Sequence, residues 1–369
     1  MFCLTVLLAV AAASPEVVDL TTAPGVGTAI VCRGQGYFPV VDRTPDGRAA
    51  AVLRGGGGHL GIGGRLDLFF SDDGFIWYGK RTAVDTAADD RNPAFCVAPN
   101  GRFLLGIHHQ AGYNGDGVYD PSFQLSRNMQ TYSDDEGVTW SRLTNVKLGP
   151  IEGTSPYGRI VRLSDGTFLQ NVYGAHSPDV PNIPAPKEGV SDYAYVVRST
   201  DEGVTWSDPS LVAEAHNETA LLQVDDGALL AAARHDGESQ YLDLYRSEDL
   251  GRTWIHVVQA TDNSQHPADL VNLGNDVILM LYGNRRDEAK DIRAVLSRDG
   301  GKTWDTGTHL SLTSPVGGDF GYPSGVVMGE NLLVLHYWAG EGVSSYDGSK
   351  SQCRATRIPV KVILGAGKE

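Results

Sequence analysis

Ser199-Thr200-Asp201-Glu202-Gly203-Val204-Thr205-Trp206 decides the fold, because the chain repeats it. The same S-x-D-x-G-x-T-W pattern fills residues 133–140, 247–254 and 297–304, and residues 71–77 hold a copy one residue short. Ser and Asp side chains hydrogen-bond within a tight turn, Gly allows a positive φ, and Trp pins the turn to the sheet beside it. A second repeat runs out of phase with the first. Polar turns at Asp46-Gly47, Asn100-Gly101, Asp165-Gly166, Asp226-Gly227, Asn275-Asp276 and Glu330-Asn331 lie between apolar runs, at steps of 54, 65, 61, 49 and 55 residues. Asp-Gly and Asn-Gly in that setting are hairpin signals. Six hairpins interleaved with a second turn motif predict an all-β chain, a six-bladed β-propeller in which no blade can bury both faces alone. Ring closure is expected to pair a strand within residues 20–32 with strands within 353–364.

Composition agrees with a turn-rich all-β protein: 45 Gly and 18 Pro stand among 369 residues, of which 20% are charged. The formal net charge of −15 argues against a nucleic-acid partner, which calls for a basic footprint. Residues 1–14 read as a secretory leader, an apolar run ending in small residues and too short to span a bilayer as a helix. That places the mature chain, residues 15–369, outside the cytoplasm, secreted or periplasmic, with no membrane span. Cys3, Cys32, Cys96 and Cys353 show no metal spacing and allow at most one disulfide once the leader is gone. No metal and no cofactor is expected. Residues 175–190, with Pro178, Pro181, Pro184 and Pro186, read as a surface loop near one mouth of the ring.

The hairpin register makes a functional prediction. Nine residues before the second residue of each turn stand Phe38, Asn92, Tyr157, Glu218, Pro267 and Tyr322; seven after it stand Arg54, His108, Tyr173, Arg234, Gly283 and Trp338. Equivalent positions share a rim, so both sets are expected around one opening. Arg, His, Glu and Tyr are costly to bury there unless they pair or bind something.

With its turn motif, the Asp box, the chain resembles the sialidase superfamily. Asn217-Glu218-Thr219, followed one hairpin later by Arg234, is similar to the sialidase segment that joins a general base to a carboxylate-binding Arg. Gly321-Tyr322-Pro323-Ser324 resembles the segment of the nucleophilic Tyr, an exception among glycosidases, which normally use two carboxylates. The resemblance implies an exo-acting, retaining glycoside hydrolase for terminal acidic sugars. Tyr322 would attack the anomeric carbon and Glu218 would take its proton, since an unperturbed phenol has a pKa of about 10. Arginines would clamp a carboxylate: Arg234, with Arg285 or Arg293 just before the last full Asp box.

Two departures stand out. Tyr37-Phe38-Pro39 replaces the Arg-Ile-Pro of sialidases, and residues 54–66 offer no carboxylate where the acid/base Asp belongs. His59 on the loop of residues 54–65, or Asp90, is therefore the candidate proton donor, and Arg54 or Arg91 the substitute Arg. Asn92, His108 and His266 complete the expected substrate contacts. The glycines of the loop suggest close backbone approach to a ligand. Two alternatives remain: a polysaccharide lyase acting on uronates through Tyr, His and Arg, and a non-catalytic carbohydrate-binding propeller.

Overall fold

The computed structural model describes residues 14–366 except 121, 123–125, 149–150, 152–153, 176–186, 287–289 and 345. The leader, apart from Ser14, and most of the proline-rich insertion thus lie outside the described residues. In chain order the strands are β1 (Glu16–Asp19), β2 (Gly27–Arg33), β3 (Tyr37–Arg43), β4 (Ala49–Gly55), β5 (Arg65–Ser71), β6 (Tyr78–Val84), β7 (Asp89–Val97), β8 (Phe103–Gln110), β9 (Ser126–Ser133) and β10 (Thr144–Asn145). They continue as β11 (Ser155–Arg162), β12 (Phe168–Gly174), β13 (Tyr193–Ser199), β14 (Ser207–Glu214), β15 (His216–Gln223), β16 (Leu229–His235), β17 (Leu242–Ser247) and β18 (Ile255–Gln259). The last are β19 (Gln265–Gly274), β20 (Val277–Asn284), β21 (Asp291–Ser297), β22 (Thr308–Ser311), β23 (Phe320–Met328), β24 (Asn331–Trp338) and β25 (Gln352–Pro359), followed by a short helix α1 (Val360–Gly365).

The all-β expectation holds, but the expected six-bladed propeller is corrected. Hydrogen bonding groups the strands into five sheets: four blades of four or five strands and one continuous sheet of eight, β10-β9-β8-β7-β11-β12-β13-β14. The parallel pairs Gly158↔Ala94 and Arg159↔Phe95 join β11 to β7 and make that sheet continuous. Hairpin spacing counts hairpins, not sheets. A bond between the first strands of two successive hairpins leaves no mark on that spacing. The ends close as the sequence suggests, β2 pairing antiparallel with β25 (Gly27↔Arg357 to Arg33↔Gln352), although the chain turns helical at Val360. In addition β1 pairs in parallel with β22 as a fifth strand.

Second strands are mostly buried because neighbouring sheets cover both faces. Every residue of β4 is buried, and so is all of β20 except Val277. Outer strands such as β6 and β18 are largely exposed, and β6 carries Lys80 and Arg81, charges that protect an edge from adding further strands. Cys32, Cys96 and Cys353 are free thiols.

The feature that builds the site is a bulge repeated in the first strand of each hairpin. Pairing register shifts at Tyr37/Val40, Arg91/Ala94, Tyr157/Val161, His216/Thr219, Gln265/Ala268 and Gly321/Ser324. A bulge bends the strand and re-aims its side chains. Phe38, Asn92 and Tyr322 take φ of 52°, 43° and 52°, a left-handed conformation that costs a non-glycine residue about 1–3 kcal/mol. Each is followed by a proline, which has no N–H to leave unpaired in the broken ladder. These bulges turn Phe38, Asn92, Tyr157 and Tyr322 into the wall of one axial cavity, together with Gly158, Ala268 and Asp269.

Candidate active site

Tyr322, on the wall of this cavity, meets Glu218, 104 residues away in sequence. The Tyr322 hydroxyl donates to Glu218 Oε1 at 2.5 Å, and Arg234 Nη1 donates to Glu218 Oε2 at 2.6 Å. Both residues are nearly fully buried, at 8% and 3% exposure, so the two bonds act in a low-dielectric setting. Burial, and then the Glu218 charge, push the Tyr322 phenol well above its ordinary value, against the pull of Arg234 and Arg285. The phenol is therefore protonated at rest, with a base already in contact with its proton. A hydroxyl becomes a nucleophile in this way when its proton leaves as the new bond forms.

Above the phenol lies Arg285, its guanidinium carbon 5.7 Å from the Tyr322 ring centroid. Its Nε and Nη2 are buried with no hydrogen-bond partner among the described residues, and Arg234 Nε is in the same state. Gly321 is required here, since a Cβ at that position would sit 2.7 Å from Arg285 Nη2. Arg293 is instead held by Asp291, its Nε at 2.8 and 3.1 Å from the two carboxylate oxygens. His266 adds another buried, unpartnered atom, Nδ1; burial and the charges of Arg234 and Arg285 keep its ring neutral. Unpaired donors grouped in this way suit an anionic ligand.

Opposite Glu218 the wall is aromatic. Phe38 packs on Tyr322 at 4.6 Å between centroids, on His59 at 4.9 Å and on Tyr337 at 5.9 Å, and the Arg91 guanidinium lies 5.6 Å from its ring. Asn92 Nδ2 donates to Ser155 Oγ and Tyr173 Oη, both at 3.2 Å. Both nitrogens of His108 are buried with no partner among the described residues, and burial, Arg91 and His109 push it down to about 3.

Two further candidates, besides Arg293, are spent elsewhere. Arg54 is fully buried, donating to Asp89 Oδ1 at 2.5 Å, to Gly61 O at 3.1 Å and to Gly58 O. It holds the glycine loop in place and has no free face for a ligand. The glycines themselves answer to packing inside the protein: a Cβ on Gly58 would lie 2.1 Å from Tyr346 O, and one on Gly64 2.1 Å from Asp89 Oδ1. Asp90 accepts from Thr86 N at 2.7 Å and Thr86 Oγ1 at 3.1 Å and faces His109 at 3.8 Å.

Three side chains escaped the sequence reading. Asp319 accepts from Tyr337 Oη at 2.8 Å and lies 3.8 Å from His59 Nδ1. Asp192 accepts from Asn217 Nδ2 at 3.1 Å, and burial raises its carboxyl to about 6. Tyr337 packs on both Tyr37 and Tyr322. Asp192 stands just before β13 and Asp319 just before β23, both off the hairpin register, so no periodicity marks them.

Residues 69–335 match the BNR repeat-like domain model. The chain belongs to the BNR repeat-like family, within the sialidase superfamily. This BNR repeat-like chain is 30% identical over 203 residues to a sialidase of Paraclostridium sordellii, covering 50% of the chain and 47% of that protein. It is 27% identical over 242 residues to a sialidase of Micromonospora viridifaciens, covering 58% of the chain and 35% of that protein. The chain thus spans less than half the length of these curated relatives. Among solved structures, a Dyadobacter fermentans protein of unknown function superposes with a TM-score of 0.72 at 18% identity, over 91% of the chain and 99% of that one. The sialidase of Trypanosoma rangeli, in covalent complex with 2,3-difluorosialic acid, gives 0.65 at 15% identity, over 90% of the chain and 55% of that one. Both likenesses concern the fold alone. No helix among the described residues is long and apolar enough to cross a membrane.

Proposed function

We propose that this protein is a secreted, retaining exo-glycosidase that removes a terminal acidic sugar, sialic acid or a related nonulosonate, from glycans. Tyr322 attacks the anomeric carbon while Glu218 takes the phenol proton, and Arg234 and Arg285 hold the sugar's carboxylate. The single observation that carries the reading is the Tyr322–Glu218–Arg234 chain of short hydrogen bonds in a buried setting. Arg234 fixes the Glu218 carboxylate in place through Oε2, and Glu218 Oε1 is in contact with the proton of a phenol that cannot ionise alone. The covalent complex formed by the Trypanosoma rangeli sialidase lends support by likeness of fold.

Purified protein should release methylumbelliferone from the methylumbelliferyl α-ketoside of N-acetylneuraminic acid, or sugar from a panel of other nonulosonates. Tyr322→Phe should lower kcat by about 10⁴-fold or more with the unfolding midpoint kept. A wild-type protein silent on the whole panel, or a Tyr322→Phe variant with normal turnover, would remove the reading.

A further inference from the structure

Retaining hydrolysis needs a group that protonates the departing oxygen and later deprotonates water. The loop of residues 54–66 has no carboxylate to do this. We propose, on the reading above, that His59 is this acid and base, and that Asp319 is its positioning residue.

The geometry singles out His59 among the side chains around the phenol. Glu218 is bound to Tyr322 and Arg234. Asp89 accepts from Arg54, from Tyr113 Oη at 2.5 Å and from Gly61 N at 3.2 Å, and Asp90 is taken by Thr86. His266 lies between the charges of Arg234 and Arg285, which oppose an imidazolium there. Among the described histidines, His59 combines an adjacent carboxylate with a wall shared with the nucleophile: it and Tyr322 both pack on Phe38, at 4.9 and 4.6 Å. His59 is edge-on to Tyr37 and Tyr346 as well, at 6.1 and 5.9 Å, so the ring cannot swing freely.

Its Nδ1 is buried with no hydrogen-bond partner among the described residues and points towards Asp319 Oδ2 at 3.8 Å, an electrostatic contact too long for a hydrogen bond. Catalytic hydrogen bonds are commonly loose before substrate enters and tighten on binding. Asp319 is prepared for that role. Against the burial that would raise it, His59, Arg285 and the Tyr337 hydroxyl hold its carboxyl below the usual range, so it stays an anion facing the imidazole.

The charges facing His59 set its pH behaviour. Burial, Arg91 and Arg285 hold the imidazole below 6.5, and Asp319 pulls it up. A substrate carboxylate seated on Arg285 cancels part of that positive field, so binding itself favours the proton the leaving group needs.

In the first half-reaction the bond from the anomeric carbon to the leaving oxygen breaks, and the Tyr322 oxygen bonds to that carbon. The phenol proton passes to Glu218 and the imidazolium proton to the leaving oxygen. In the second, water attacks the same carbon, its proton goes to His59, the Tyr322–carbon bond breaks and Glu218 returns the phenol proton. Every group ends as it began.

The test compares a substrate that needs the acid with one that does not. His59→Gln should lower kcat/KM on sialyllactose by about 10²–10⁴-fold. On the methylumbelliferyl ketoside, whose leaving group departs as an anion, the loss should stay under about tenfold, with kcat and KM falling together as the covalent intermediate accumulates. Sodium azide, which attacks without a base, should restore kcat on that substrate. Asp319→Asn removes the charge that raises the His59 pKa, so the high-pH limb of kcat/KM on sialyllactose should move to lower pH. Equal losses on both substrates, no response to azide, or an unmoved limb in Asp319→Asn would overturn the proposal. So would the same signature in Asp192→Asn. Wild-type silence on both substrates fails the glycosidase reading itself; wild-type turnover with these failures sinks only the role of His59.

Discussion

At one end of the sheets the turns at Ser133, Ser199, Ser247 and Ser297 are built alike, whereas at the other end Phe38, Asn92, Glu218 and Tyr322 differ at equivalent bulges. In each turn the Ser hydroxyl donates to the Asp at 2.7–2.8 Å, and the Gly N–H returns to the Ser at 2.7–2.9 Å. All of those bonds close within four residues. At the bulges the bonds that matter cross the molecule, as Tyr322 to Glu218 does. A repeated local device can fold the same way many times. A site requires that one copy differ from the next, and the bulges supply that freedom because each re-aims its side chains out of the regular ladder.

The comparison breaks most visibly through Glu218→Gln. The amide keeps the shape but cannot accept the phenol proton, so kcat should fall about 10²–10⁴-fold with an unchanged unfolding midpoint. A large loss of stability instead would mean that this end, too, is structural.

Gly301→Ala tests the opposite end. Gly301 has φ of +84°, and a Cβ there would meet Leu230 Cδ1 at 2.4 Å. The variant should lose about 1–3 kcal/mol in denaturant unfolding while the folded fraction keeps its kcat. Loss of activity at full stability would show the two ends to be coupled.

The smallest effect separates the ends by pH. Asp249, in a turn, is held down at about 2: its burial, which would raise it, loses to the Thr253 hydroxyl and N–H, the Ser247 hydroxyl and the Arg252 N–H. A carboxyl with a depressed folded value stabilises above its unfolded value near 4, and that stability is lost as pH falls towards 2. Asp192, beside the site, is raised to about 6, chiefly by burial, so the folded state loses stability as pH climbs from about 4 to 6. Unfolding midpoints across pH should show Asp249→Asn flattening the acid slope. Asp192→Asn should raise the midpoint above pH 6 and leave it unchanged near pH 3.

The Asp-x-Gly repeats, the polar turns and the pairing of Glu218, Arg234 and Tyr322 were legible from residue type and spacing, as was the meeting of β2 with β25. Turn chemistry acts within a few residues, and hairpin register carries a position from one repeat to the next. Sheet count, the spending of Arg54 on Asp89 and the glycine loop, the commitment of Asp90 to Thr86, and the placing of Asp319 against His59 belong to the tertiary structure alone. Each of these depends on which side chain a bulge or loop turns towards a partner far along the chain, and no local spacing records that direction.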